Sequence, residues 1–206
     1  MKRVALTFDD GPDGEFTPRI LNTLAAHNAR ASFFVLGKKI AGQEEILRRA
    51  HAEGSEIISH SWSHCKDPKL GELDPGEIKK ELLDTEAAIR AVIDAPATSP
   101  KLFRPPYGAV TDRLRDVSRE VGCALVNWSI DPFDWECRDA DTVFERVMSN
   151  LHDGAIILCH DAYDSTAAAI ERLVPAILQK GYQFVTVSEI LQGTEVLAGE
   201  VYNECI

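Results

Sequence analysis

The sequence lacks any apolar run that approaches the roughly 20 residues needed to span a bilayer. It also lacks the pattern of a signal peptide, because Lys2 and Arg3 lead at once into the strand-like run that begins at Val4. For the chain as given, we therefore expect neither a membrane-spanning helix nor a cleaved leader.

Positive charge is also scarce in this chain. Its 22 lysine and arginine residues are outnumbered by 33 aspartate and glutamate residues, which gives a formal net charge of -11. Such an excess of negative charge argues against nucleic acid or an anionic membrane as a partner. A neutral or cationic substrate fits this charge better.

The sequence has no paired cysteine motif. Its five cysteines are scattered, odd in number and without a CxxC pair; they are Cys65, Cys123, Cys137, Cys159 and Cys205. This set does not form a disulfide framework and indicates a reducing compartment. We therefore expect a cytoplasmic location for the chain as given. An exported or wall-associated protein stays open if an export segment has been removed.

Short apolar runs rich in strand formers alternate with helical patterns along most of the chain. About seven such strand–helix units occur over residues 1–192, and the strands are apolar on both faces, as buried parallel strands are. We therefore predict one domain of the α/β class over residues 1–192, built as a (β/α) barrel or a near relative. The segment 193–206 follows as a tail whose role the sequence does not indicate.

Two adjacent carboxylates end the first of these strands. The apolar run from Val4 stops at Asp9 and Asp10, and Gly11 and Pro12 then favour a turn. Active sites of parallel α/β proteins collect at the carboxyl ends of the strands. One carboxylate could bind a metal while the other handles a proton. The alternative is that these aspartates only cap the turn.

Two histidines follow the third predicted strand. His60 and His64 are four residues apart, so a single helical turn would direct both imidazoles the same way. Two histidines with one aspartate and an open water position are typical of a catalytic zinc site. The alternative is one buried, hydrogen-bonded histidine and one surface histidine.

A stiff segment follows the fourth predicted strand. Its sequence, RPPYG over residues 104–108, contains two prolines that restrict the backbone. This rigidity would hold Arg104 against a carboxylate and direct the backbone N–H of Tyr107 at a substrate. The alternative is a rigid crossing loop without a role in chemistry.

Acidic and imidazole groups follow the next two predicted strands. Asp131 comes after the strand predicted over residues 124–130, and His160 after the strand predicted over 155–159. In a barrel these strand ends face the same mouth as Asp9. The alternatives are a plain acidic turn at Asp131 and a buried strand end at His160.

These segments together resemble a known family. The residues TFDDGP (7–12), HSWSH (60–64), RPPYG (104–108), DPFDW (131–135) and LCH (158–160) occur in this order. They resemble the five motifs of the polysaccharide deacetylase family, the NodB-homology domain of carbohydrate esterase family 4. Each motif alone is weak, but five in order from Arg3 to about Leu191 are specific.

The resemblance implies a distorted (β/α) barrel with about seven parallel strands and a divalent metal. That metal is usually zinc, with cobalt, nickel and manganese as alternatives. By position, Asp9 resembles the catalytic base of the family. The residues that resemble its metal ligands are Asp10, His60 and His64.

The remaining family positions also have counterparts in this sequence. Arg104 matches the arginine that orients the base, His160 resembles the general acid, and Asp131 matches the carboxylate that orients this histidine. Trp135 matches a wall of the pocket, and Leu158 resembles the residue that lines the acetyl-methyl pocket. The sequence departs from the family at Ser55 and Ser59, which removes no catalytic group.

The expected function is the metal-dependent hydrolysis of N-acetyl groups on a saccharide that contains N-acetylglucosamine, of the chitin-oligomer or peptidoglycan type. Acetate would be released. Three alternatives are an O-acetyl esterase acting on acetylated xylan with the same site, a catalytically silent carbohydrate-binding domain, and a hydrolase of other nitrogen compounds. The sequence indicates no oligomeric state.

Overall fold

A computed structural model describes residues 2–94 and 101–204 of the chain. Parallel strands and helices alternate along these two ranges. The strands are β1 (Lys2–Asp9), β2 (Ser32–Val35), β3 (Glu56–Ser59), β4 (Lys101–Phe103), β5 (Cys123–Val126), β6 (Ala155–His160), β7 (Tyr182–Phe184) and β8 (Val201–Tyr202). Cys205 lies outside the described residues.

The α-helices alternate with these strands. They are α1 (Phe16–Ala26), α2 (Gly37–Ile40), α3 (Glu44–Ala52), α4 (Pro75–Val92), α5 (Asp112–Val121), α6 (Asp134–Cys137), α7 (Ala140–Asn150), α8 (Asp164–Gln179) and α9 (Val187–Ile190). Two short 3₁₀ helices cover Leu70–Glu72 and Pro106–Gly108. Among the described residues, no helix combines the length and the apolar character needed to cross a membrane.

The strands form one curled parallel sheet. Its order is β6-β1-β2-β3-β4-β5-β8, and β7 pairs with the start of β1. Helices surround this sheet, so the predicted α/β fold with about seven parallel strands in a distorted barrel is confirmed. The tail left unplaced by the sequence supplies an eighth strand, because β8 pairs with β5.

The barrel wall between β5 and β6 differs from the sequence prediction. The strand predicted over residues 124–130 ends at Val126, and the chain returns to the sheet only at Ile130, which bridges Ile157. Near the start of β6, Glu204 bridges Ala155. The tail therefore spans part of the gap that the shorter β5 leaves.

Side chains of β1 alternate between two environments. Val4, Leu6 and Phe8 pack into the cluster beneath the helices, whereas Ala5 packs with residues of the barrel interior such as Phe34. Because successive side chains of a strand point to opposite faces, Asp9 lies on the same face as Ala5. The pattern of β1 therefore directs Asp9 into the barrel interior.

Local capping residues fix several helix ends. Asp74 caps α4, and its carboxylate accepts a hydrogen bond from the N–H of Glu77, which completes a capping box. Gly122 ends α5 with a φ of 72°, a conformation that glycine adopts without strain. Strand β7 ends at Phe184, and Thr186 then caps α9.

Candidate active site

The carboxyl ends of the strands surround a cavity of about 340 Å³. Nine of the ten site residues predicted from the sequence line it, and Arg104 lies buried beneath them. The lining residues are Asp9, Asp10, His60, His64, Tyr107, Trp128, Asp131, Trp135, Leu158, His160 and Tyr163. Segments distant in sequence therefore converge, as the barrel topology predicts.

One wall of this cavity carries a cluster of metal-type ligands. Oδ1 of Asp10 lies 3.6 Å from Nε2 of His60 and 3.4 Å from Nε2 of His64. The donor atoms of the three residues all lie within 4.8 Å of one another. Ligand atoms about 2.0–2.1 Å from a tetrahedral metal lie about 3.4 Å apart, so this spacing fits one divalent cation.

The protonation and burial of these donors also fit a metal. Oδ1 of Asp10 is buried and has no hydrogen-bond partner within the described residues, although a buried polar atom normally has one. Burial lowers the pKa of His64, and this favours the neutral imidazole that a metal ligand requires. The residues present therefore suit the cation that the sequence predicts.

The backbone that carries the two histidines is not helical. Residues 60–64 lack helix, and Ser61 and His64 have φ angles of 72° and 53°. The expected helical turn is therefore wrong. A compact loop brings the imidazoles together instead, held by the N–H of His64 donating to Oγ of Ser61, and by Glu81, whose carboxylate accepts from two backbone N–H groups of the loop.

The orientation of His60 is fixed by a backbone carbonyl. Nδ1 of His60 donates to the carbonyl oxygen of Arg104 at 2.8 Å, because a carbonyl can only accept. Nε2 is then the nitrogen with a free lone pair, and it faces Asp10. Such a hydrogen bond behind a histidine ligand sets its tautomer.

Asp9 pairs with a fully buried arginine. Nη1 of Arg104 donates to Oδ1 of Asp9 at 2.7 Å and to Oγ1 of Thr7 at 2.8 Å. The rest of the guanidinium donates to the carbonyl oxygens of Val126 and Asn127. Burial lowers the pKa of Arg104 and the charge of Asp9 opposes this effect. The contact between Arg104 and the carboxylate, expected from the stiff segment, is present.

His160 pairs with a fully buried aspartate, and that aspartate is Asp134. Nδ1 of His160 donates to Oδ1 of Asp134 at 2.7 Å, and the backbone N–H of His160 donates to Oδ2 at 2.8 Å. Thr166 donates to the same Oδ2. Burial alone would lower the pKa of His160, but the hydrogen bond and charge of Asp134, with Asp9 and Asp10 nearby, raise it to about 9.

The sequence-based prediction gave this contact to Asp131 and is wrong on this point. Oδ1 of Asp131 instead accepts the backbone N–H of Phe133 at 2.7 Å, as in an Asx turn. Phe133 then has a φ of 54°, and the chain turns so that Asp134 begins α6 beneath His160. A signal was available, because Asp134 is a second aspartate in the same motif, next to Trp135.

The three predicted substrate contacts lie on different walls of the cavity. The ring of Tyr107 contacts that of His64 with centroids 4.6 Å apart, and 46% of Tyr107 is exposed. Trp135 is equally exposed at 46%, whereas Leu158 is buried. The cavity therefore has exposed aromatic side chains at its rim and a buried aliphatic side chain in its wall.

Another buried carboxylate, that of Asp161, lies against the turn after β1. Asp161 is buried and accepts a hydrogen bond from Oγ1 of Thr17. Burial raises the pKa of Asp161 to about 7. A Cβ on Gly11 would lie 2.3 Å from Oδ2 of Asp161, so only glycine fits at this contact.

The fold and this site define a barrel protein in which three donors that could hold a metal ion lie between a carboxylate and an imidazole. A family profile described as polysaccharide deacetylase matches residues 1–126. The chain therefore belongs to the polysaccharide deacetylase family.

Similar proteins carry several names within this family. The chain is 39% identical over 201 residues to the peptidoglycan-N-acetylglucosamine deacetylase PgdA of Listeria monocytogenes, covering 98% of this chain but 41% of that protein. The chain thus spans about two fifths of the length of PgdA. It is 36% identical to a chitooligosaccharide deacetylase of Bradyrhizobium, covering 88% of this chain and 87% of that one.

A solved structure adds a third relative. The family 4 acetyl xylan esterase from Clostridium thermocellum, in complex with a cobalt ion, is 32% identical to this chain. Its TM-score is 0.87, and the match covers 98% of both chains. The shared fold therefore extends over nearly the whole of this chain.

Proposed function

We propose that this chain hydrolyses N-acetyl groups of oligo- or polysaccharides that contain N-acetylglucosamine and releases acetate. One observation carries the proposal: Asp9, His160 and the three metal-type donors face one cavity. The names of the Listeria and Bradyrhizobium relatives support the substrate class. Because the chain spans only part of PgdA, we propose this activity for the chain and not for a longer assembly.

Asp10, His60 and His64 would hold one divalent cation. Two imidazoles and one carboxylate suit zinc, and cobalt, nickel or manganese also accept such ligands. When bound, this cation supplies Lewis-acid activation of water and of the acetyl carbonyl. The unpartnered Oδ1 of Asp10 is the observation that best supports this assignment.

Asp9 is the proposed general base. Its carboxylate takes a proton from the attacking water as the new C–O bond forms, and the buried Arg104 fixes its orientation through the 2.7 Å contact. The N–H of Tyr107 is the proposed donor to the oxyanion of the tetrahedral intermediate. The charge that develops on the carbonyl oxygen is thereby stabilised.

His160 is the proposed general acid. An amide nitrogen is a poor leaving group unless it is protonated, so the C–N bond breaks as Nε2 of His160 gives its proton to that nitrogen. Asp134 occupies Nδ1 and keeps the imidazole charged. The products are acetate and a free amino sugar, with Leu158 and Trp135 proposed as walls of the acetyl pocket.

A second candidate is the hydrolysis of acetyl esters by the same groups. The observation that favours it is the similarity to the Clostridium acetyl xylan esterase, which covers 98% of this chain. An ester needs less help from a general acid, because an alkoxide leaves more readily than an amide anion. The site described above suits both reactions, so substrate assays decide between them.

The compartment in which this chain works depends on which substrate it uses. The four cysteines within the described residues are all free, which agrees with a reducing compartment. Peptidoglycan as the substrate would instead require export. Oligosaccharides are compatible with either location, and we propose them as the first class to assay.

The direct test measures acetate release by the purified chain, with its metal content determined in the same samples. We expect release from chitin oligomers or peptidoglycan, loss after chelation, and recovery when zinc or cobalt is added. His64→Ala should lose metal and activity together. Failure of the metal-loaded chain to release acetate from chitin oligomers, peptidoglycan or acetylated xylan would reject the proposal and favour a silent binding domain.

A further inference from the structure

Asp131 has no assigned task once Asp134 is recognised as the partner of His160. It lines the cavity and is half-buried. Its Oδ1 accepts the backbone N–H of Phe133. No hydrogen bond within the described residues engages Oδ2, so this oxygen can accept one from a ligand in the cavity that Asp131 lines.

A charged side chain is costly at this position. Burial raises the pKa of Asp131, and the negative charges of Asp134 and Asp9 raise it further, while the N–H of Phe133 and the charge of His160 oppose them. Asparagine or serine would accept the hydrogen bond of an equivalent turn without any charge. The turn alone therefore does not explain the carboxylate, and a ligand that donates a hydrogen bond does.

The barrel wall fixes Asp131 close to the reacting group. The carbonyl of Ile130, its chain neighbour, accepts the N–H of Leu158 at 2.9 Å, and Leu158 precedes His160 by two residues on β6. Leu158 and His160 therefore share one face of this strand. Asp131 and His160 therefore belong to neighbouring parts of the wall of one cavity.

We propose that Oδ2 of Asp131 accepts a hydrogen bond from the N–H of the scissile amide and makes the site prefer N-acetyl over O-acetyl substrates. This inference rests on the proposed function. The amide nitrogen carries a hydrogen, and it becomes an amine with a further N–H as the C–N bond breaks, so the hydrogen bond persists into the product. An ester oxygen has no hydrogen and turns lone pairs toward the carboxylate, which is repulsive.

The test compares kcat/KM for acetate release from a chitin tetramer and from acetylated xylan. Asp131→Asn keeps the acceptor for Phe133 and replaces Oδ2 by an NH₂ donor. We expect a loss of about 10- to 100-fold in kcat/KM on the chitin tetramer, as for a lost hydrogen bond to a charged group. Activity on acetylated xylan should fall less than about threefold or rise, since the new donor can meet the ester oxygen.

Two further variants keep the test decisive. Asp131→Ser retains an acceptor for the turn and removes Oδ2, so it should lower the preference as Asn does. Glu136→Gln removes one charge from the exposed side of the adjacent helix α6 and should leave both activities unchanged. Metal content and circular dichroism are measured for every variant.

The possible outcomes distinguish a failure of this inference from a failure of the proposed N-deacetylase function. A wild-type chain that releases acetate only from xylan would reject the proposed N-deacetylase function itself. A second outcome is a wild-type chain that is active on chitin while Asp131→Asn and Asp131→Ser both keep its ratio of the two activities. That result would overturn the role of Asp131 and leave the proposed function standing. A shift of the alkaline limb of the pH–rate profile with an unchanged ratio of the two activities would show that Asp131 acts only through His160, and it would also overturn the proposal.

Discussion

The site has a base half, Asp9 with Arg104, and an acid half, His160 with Asp134, and the charges within the two pairs are reversed. In the base half, the carboxylate of Asp9 pairs with the buried guanidinium of Arg104 at 2.7 Å. In the acid half, the imidazole of His160 pairs with the buried carboxylate of Asp134, also at 2.7 Å. The buried cation orients the carboxylate through a charge-assisted hydrogen bond, whereas the buried anion also raises the pKa of the imidazole.

The comparison teaches how a buried partner of opposite charge can hold each of two neighbouring reactive groups. Asp9 and His160 are direct partners in the register of β1 and β6, so the two halves lie side by side. Each reactive group lines the cavity, while its partner is fully buried behind it. The buried partners therefore orient both reactive groups, and Asp134 in addition raises the pKa of His160.

Asp9→Asn should have the largest effect on turnover and breaks the base half without changing its shape. The amide is nearly isosteric but cannot take a proton, so we expect kcat to fall by about 10²- to 10⁴-fold with the metal content unchanged. Acetate release and metal analysis check this. The control is Asp116→Asn, an exposed aspartate of α5 that should stay at wild-type activity. A variant within a few-fold of wild type would reassign the base.

Arg104→Met removes the buried guanidinium that holds Asp9 in the base half. It leaves Asp9 buried without its cation and three backbone or hydroxyl acceptors without a donor, so we expect a loss of about 3–5 kcal/mol in the free energy of unfolding. Urea unfolding measures this. Arg90→Met, which breaks an exposed pair with Glu86, should cost less than about 1 kcal/mol. Equal losses in the two variants would contradict the buried pairing.

Gly11→Ala tests the contact between the turn that follows Asp9 and the residue that follows His160. The new methyl group would lie 2.3 Å from Asp161, the residue after His160, and we expect about 1–3 kcal/mol of destabilisation from this overpacking. The loss should shrink in an Asp161→Ala background, which removes the clashing carboxylate. Gly14→Ala is the control, because its Cβ would only reach ordinary contact distance, 3.5 Å from Gln43. A cost that is the same in both backgrounds would argue against this contact.

The two halves also differ in how well the sequence predicts them. Asp9 and Arg104 lie at the end of β1 and directly after β4, so the strand pattern alone locates them at the mouth of the barrel. Asp134 comes eight residues after β5 ends at Val126, beyond a segment that leaves the sheet. Strand periodicity carries no information over that distance, and Asp131 was the nearer but incorrect choice.

Other differences arise from contacts that are distant in sequence. The alternation of strands and helices predicts the parallel fold because each unit is local. The pairing of β8 with β5 joins residues about 75 positions apart and has no sequence pattern of its own, since β8 has only two residues. The loop over residues 60–64 likewise depends on Glu81 of α4, so its left-handed backbone is not evident from the spacing of the histidines.

The pH–rate profile of Asp134→Asn tests the central claim, that the buried carboxylate of Asp134 keeps His160 charged. His160 must be protonated to act as an acid, so activity falls as the pH rises through its pKa, which Asp134 raises toward about 9. A bound cation would lower this pKa in both proteins. We predict that Asp134→Asn moves the alkaline limb of kcat/KM to lower pH and leaves the acidic limb in place. An unmoved alkaline limb, or a shift confined to the acidic limb, would contradict the account.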